Sequence, residues 1–117
     1  MAVIPYTEHI QDESGRVEGY HWPAVTENDT CQAVRITGKS DVTISVSGTM
    51  GGASVALVVS SEESGQAGYS ANHIGSDTAI ALVTAGTSAT ALQKGIWYIP
   101  TPSGGSSQSI GITLIAT

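Results

Sequence analysis

Between residues 41 and 62 the chain reads DVTISVSGTMGGASVALVVSSE, and this stretch constrains the fold more than any other. Val42, Ile44 and Val46 alternate with Thr43, Ser45 and Ser47. That period of two marks a strand with one face on a core and the other toward water. Gly48-Thr49-Met50-Gly51-Gly52 interrupts it with residues that tolerate the backbone angles of a reversal. Val55, Leu57 and Val59 then resume the alternation, so the two runs are expected to pair as an antiparallel hairpin. Ala56 and Val58 are apolar too, which suits a second strand covered on both faces. No residue within the hairpin offers a strong acid, base, nucleophile or metal ligand, so it reads as scaffold.

The rest of the body has the same grain. Residues 31–37 form a candidate strand, 69–74 a short strand or irregular segment, and 88–93 and 96–99 two further strands. Residues 78–83 are apolar with an ambiguous period that also suits a short helix. Residues 100–107, PTPSGGSS, read as a loop of breakers. The chain closes on Ile110, Ile112 and Leu114 alternating with Gly111, Thr113 and Ile115. With no phenylalanine among 117 residues, the core must be built from Val, Ile, Leu and Ala. Short strands separated by Gly/Ser turns indicate an all-β fold, an antiparallel β-sandwich or jelly roll. Val42, Ile44, Val46, Val55, Leu57, Val59, Ile110, Ile112 and Leu114 are expected to point inward.

Charge divides the chain near Cys31. Residues 1–30 hold six acids (Glu8, Asp12, Glu13, Glu18, Glu27, Asp29) against Arg16 alone, whereas residues 31–117 hold four acids and three bases. Pro5 and Pro23 break any long element in the first thirty residues, and their apolar members are scattered. Two parts are therefore expected: an extended acidic N-terminal arm, 1–30, and a β-sandwich body, 31–117. The arm is expected to fold onto a partner, and removing residues 2–22 to leave a folded body. Tyr6, His9, Asp12, Glu13, Arg16, Tyr20, His21 and Trp22 are the contact candidates. Trp22, beside Pro23, either caps the open end of the sandwich or anchors in a partner's pocket.

Four Lys and Arg in a chain of net charge −6 disfavour a phosphate-neutralising surface, so no nucleic-acid partner is expected. No apolar run nears the roughly 20 residues that span a bilayer, and the first residues lack a signal-peptide pattern. A single cysteine fits synthesis in a reducing cytoplasm. His9, Asp12 and Glu13 match no strong metal spacing, and a solvated acidic loop is the simpler reading. His73 and Asp77 among many serines lack the Gly-x-Ser-x-Gly elbow of a hydrolase. Neither an enzyme nor a bound cofactor is expected.

The run TGKSDVTISVSGTMGGASVALVVSSEE, with the later GIWYIPTPSGGSSQSIGITLIAT, resembles the small tailed-bacteriophage head decoration (cement) proteins. Gly48, Thr49, Gly51, Gly52, Ala53, Ser54 and Val55 match their glycine-rich hairpin. Tyr98, Ile99, Pro100, Gly104 and Gly105 match a later tyrosine- and proline-bearing strand before a Gly-Gly loop. Met50 stands where an aromatic is common, and Ser60-Ser61-Glu62-Glu63 replaces the usual Gly-Ser-Asn-Asp turn. The resemblance covers the body and leaves the arm unmatched. It implies a jelly-roll-like sandwich that is made in the host cytoplasm, binds major capsid protein on the outside of the virion and bridges its subunits. A dimer or trimer is expected, because small sheets with unpaired edges associate. Two alternatives stand beside it: a tail, neck or fibre-base component, and a carbohydrate- or ligand-binding sandwich that stacks its ligand on Trp97 or Tyr98.

Overall fold

The computed structural model describes residues 3–11, 17–26, 29–37, 39, 41–62, 68–74, 78–92 and 96–117, and none of these is helical. Their strands are β1 (Val3–Ile4), β2 (Thr7–Gln11), β3 (Glu18–Val25), β4 (Thr30–Cys31), β5 (Val34–Arg35), β6 (Val42–Thr49), β7 (Ser54–Ser60), β8 (Tyr69–Ser70), β9 (Ser88–Thr90), β10 (Trp97–Ser103) and β11 (Ser109–Ala116). One antiparallel sheet has the order β2-β3-β11-β6-β9 and another the order β5-β10-β7-β8, while β1 and β4 form a small parallel pair. Inward side chains of both antiparallel sheets join one cluster. Ile44, Val55, Leu57, Ile110, Ile112 and Leu114 are wholly buried within it, and Val42, Val46 and Val59 nearly so. Burying each such side chain contributes about 1.5–3 kcal/mol.

The expected hairpin is not a hairpin. β6 pairs with β11 and β9, and β7 with β10 and β8, so the two runs lie in different sheets. Alternation reports which side chains face a core; it is the same whether two strands share a sheet or face one another across that core. The turn between them closes with the Ala53 amide donating to the Met50 carbonyl at 2.9 Å. Gly51 and Gly52 both have positive φ there, 60° and 84°, which only glycine adopts without strain.

A second connection crosses beside the first. β10 lies in one sheet and β11 in the other, and the segment between them packs on the β6–β7 turn. The Ser106 amide donates to the Gly51 carbonyl at 2.9 Å, and a Cβ added at Gly51 would run into the Ser106 carbonyl oxygen. A Cβ at Gly105 would lie 2.8 Å from Ala53. Gln108 is buried beneath both, its Nε2 donating to the Gly104 carbonyl at 3.3 Å. The two glycine-rich segments that looked separate in sequence are a pair of interlocked arches.

β10 also runs further than its sequence promised, carrying Pro100 and Pro102 through residues expected to be loop. Pro100 pairs with Leu57 and Pro102 with Val55. Being two residues apart, the prolines share one lateral direction, so Ile99, Thr101 and Ser103 keep their amides for β7. On the far side, β5 pairs only with Trp97 and Tyr98. Proline is tolerated on an open edge because no neighbour there asks for its amide. Residues 78–83 are extended rather than helical, bridging Val55 through Leu82 and Asn72 through Ala79. The single strand expected over 31–37 is divided into β4 and β5.

The N-terminal region departs most from expectation. Glu18–Val25 is not part of an arm: β3 pairs with β11 on one side and β2 on the other. Trp22 and Val25 are wholly buried, and Tyr20 nearly so. Two inward residues three apart cannot share a face in a regular strand. A bulge resolves this, since Ile110 and Ile112 of β11 oppose Val25 and Trp22, leaving one extra residue on β3. Ala24 takes up the excess at φ 48°, and the bend returns Val25 to the core.

Candidate interaction surfaces

The contact candidates of the N-terminal region divide between the interior and the surface. The Trp22 indole Nε1 donates to the Gln32 carbonyl at 3.1 Å, satisfying its one polar atom inside the core. The Tyr20 hydroxyl donates to Glu18 Oε2 at 2.9 Å. Tyr6, half-buried, meets the Tyr20 ring edge-on at 5.2 Å and the Trp22 ring at 5.9 Å. These aromatics are packing for their own domain, which overturns Trp22 as a partner-pocket anchor and puts Tyr20 beyond a partner's reach. Residues 2–22 include β2 and most of β3, so a chain without them loses two strands of the five-stranded sheet. The His9 side chain, Asp12, Glu13 and Arg16 lie outside the described residues.

His21 alone of the three β3 candidates faces outward. Its Nδ1 lies 3.0 Å from Thr113 Oγ1 on β11. From there the outer face of the five-stranded sheet continues through Ser45 and Ser88 in one cross-strand row. A second row contains Ile115, Thr43 and Thr90, with the last two hydroxyls 2.9 Å apart. Beyond β9, the Ile74 amide donates to the Thr90 carbonyl and the Leu92 amide to the Asn72 carbonyl, extending the face by a further short ladder. Ile74 and Leu92 are exposed there. From β3 to β9 the side chains named on this face, His21 aside, are short and carry hydroxyl or aliphatic groups, and Asp41 lies at one end, its amide donating to the Thr117 carbonyl.

The outer face of the four-stranded sheet differs in kind. Trp97 and Ile99 of β10 stand beside Ala56 and Val58 of β7, all half-buried. Exposed Arg35 is the cross-strand partner of Trp97. Gly68 approaches this face closely enough that a Cβ would meet Val58 Cγ1 at 2.7 Å. Tyr98 is turned into the core, 2% exposed, and so is excluded as a stacking platform. Trp97 faces out because it adjoins Tyr98 in a strand, where neighbours point to opposite faces.

Groups with chemical reactivity are sparse. Among the described residues no three His, Cys, Asp or Glu side chains come together as a metal site would require. His73 lies in the ladder opposite Ala91, and Asp77 is outside the described residues. Cys31 is buried; desolvation, and then the charge of Asp29, push its thiol up to about 12. It borders a cleft of about 90 Å³ between β4 and the proline-bearing part of β10, room for a few waters only. Among the described residues no helix is long and apolar enough to cross a membrane. Comparison with protein-family models, with curated proteins and with solved structures finds no match to the chain.

Proposed function

We propose that this chain is a non-enzymatic structural protein of a phage virion, a β-sandwich of jelly-roll type that binds the outside of the capsid and bridges major capsid subunits. One observation carries the reading. The residues that resemble decoration proteins, Gly48 to Val55 and Tyr98 to Gly105, come together as interlocked arches. A resemblance scattered over unrelated surface loops would carry less weight than one whose parts make a single packed unit. The contact surface in this reading is the outer face of the four-stranded sheet, where Trp97 and Ile99 supply apolar area and Arg35 a cation at the rim. Such a patch binds weakly by itself. Bridging two capsid subunits raises the effective concentration of the second contact, and binding only the assembled shell stabilises it by mass action.

Co-sedimentation with purified empty shells of the encoding phage tests the proposal. Full-length protein is expected to pellet saturably with shells and to raise their melting temperature, and Trp97→Ala to weaken both. Protein that stays in the supernatant at saturating concentration, or that binds a glycan array instead, would contradict it.

A further inference from the structure

We propose that the cleft between β4 and the proline-bearing part of β10 receives the ammonium end of a lysine side chain from the protein partner. For the identity of that partner, a shell subunit, the inference rests on the capsid reading. The cleft itself follows from the strand pairing. The β5–β10 ladder stops at Tyr98. Continued in the same register, it would set Gln32 opposite Pro100 and Thr30 opposite Pro102. Pro100 has no amide to donate, and the backbone of Gln32 is engaged elsewhere. The Gln32 amide donates to the Ile4 carbonyl at 2.9 Å, and its carbonyl accepts the Trp22 indole N–H. β4 therefore diverges to pair with β1, and a gap of about 90 Å³ opens where the ladder would have run.

The walls of this gap select for a cation. In an antiparallel strand the amide and carbonyl of one residue point to the same side, so the Pro100 and Pro102 carbonyls face away from β7, toward β4. They bring acceptors to that edge without the amide donors that would accompany them at other residues. Asp29 lines the cleft and adds a carboxylate. After desolvation, its charge is the second cause that pushes the Cys31 thiol up to about 12. Asp29 Oδ2 is held in place by the Thr26 amide at 3.0 Å and the Thr26 hydroxyl at 2.6 Å. Ile99, Pro100 and Pro102 suit the methylenes that precede an ammonium, and the described lining includes no Lys or Arg. Size narrows the choice. A water's share of liquid is about 30 Å³, so the cleft admits roughly three non-hydrogen atoms, enough for two methylenes and an ammonium. The planar fork of an arginine is larger. Thr30 and Thr101, which also line the cleft, are exposed and leave its entry open. Ile99 belongs to the outer face beside Trp97 as well, so a partner lying on that face brings a lysine to its edge. A net charge of −6 favours such a contact over any distance.

Amide NMR of the full-length protein, titrated with Nα-acetyl-lysinamide, tests the site. Saturable shifts are expected at Thr30, Cys31 and Thr101, and none there from Nα-acetyl-norleucinamide, which lacks the amine. Asp29→Asn keeps an oxygen for Thr26 and is expected to leave the melting temperature unchanged. It is expected to weaken the lysine analogue roughly tenfold, the size of one charge-assisted hydrogen bond. The same substitution is expected to reduce pelleting with shells. An unmoved cleft, equal shifts from both analogues, or shells bound equally well by Asp29→Asn would overturn the proposal. The comparison of the two analogues uses the unaltered chain, so it decides the matter even if the variant fails to fold. A lysine analogue that shifts nothing while pelleting stays intact would overturn the cleft and leave the capsid reading standing. Unaltered protein that never pellets with shells would overturn the capsid reading, and with it the partner named here.

Discussion

β3 and β6 flank the same strand, β11, each is eight residues long, and each buries its inner face in the same core. They reach that position by different routes. β6 keeps a regular register with β11 from Val42 to Thr49, and its aliphatic residues alternate without interruption through Val46. β3 buries Tyr20, Trp22 and Val25, breaks its register once, and places Pro23 and a left-handed Ala24 in the break. A regular strand announces itself by its period. A bulged one has two half-strands in opposite phase, and its period cancels when read as a whole.

The strongest way to sharpen this comparison is to truncate the largest inward residue of each strand's contribution. Trp22→Ala is expected to lower the unfolding free energy by about 3–5 kcal/mol, whereas Ile44→Val should lower it by only about 0.5–1.5 kcal/mol. Urea denaturation of the two variants measures both. If Trp22→Ala were nearly neutral, β3 would be a loosely attached segment after all.

That contrast also explains what could be read from the sequence. The all-β class and the inward side chains of β6, β7 and β11 were legible because alternation depends only on one buried face. The pairing was not, since Val55, Leu57 and Val59 alternate identically in a hairpin and in an arch. β10 was read too short because Pro100 and Pro102 look like breakers, although an open edge accommodates both. β3 was missed because the acidic balance and two prolines suggested an arm, and the inward spacing of three hid the strand. Of the proposed contact residues, Trp22 and Tyr20 were conspicuous for the chemistry of interfaces, which is also the chemistry of cores.

The β6 side can be probed where it turns. Gly51→Ala combines a φ of 60° with a clash against the Ser106 carbonyl oxygen, and is expected to destabilise by at least about 2 kcal/mol. Gly52→Ala has a similar positive φ but open space around the new methyl, so only the left-handed strain of about 1–2 kcal/mol remains. Equal losses in thermal melts would show that the two arches do not interlock.

The β3 side carries its own reporter. Cys31 in β4 is buried in a region that packs on β3. A thiol-specific chromophoric reagent at pH 8 is expected to leave it unmodified until urea unfolds the chain. Its ionisation also couples to stability. The folded thiol loses its proton near 12 and the unfolded one near 9.0, so the unfolded state ionises first as pH rises. The stabilisation from this site is therefore complete below about pH 9 and declines from there through pH 12. Rapid modification of the native protein would mean that β1 and β4 open freely.

The smallest effect concerns the bulge itself. Ala24→Gly removes left-handed strain at φ 48° but adds backbone freedom to the unfolded chain, for a net gain of about 0.5 kcal/mol. A measurable loss in urea midpoint would mean that the Ala24 methyl does something other than tolerate the bulge.

Whether β3 belongs to the sheet is tested most directly by removing it. Far-ultraviolet circular dichroism and urea unfolding of a chain lacking residues 1–25 are expected to show no cooperative transition, because one side of β11 would be left unpaired and the core would lose Tyr20, Trp22 and Val25. A cooperative transition at the full-length midpoint would contradict this and return the first 25 residues to the status of a detachable arm.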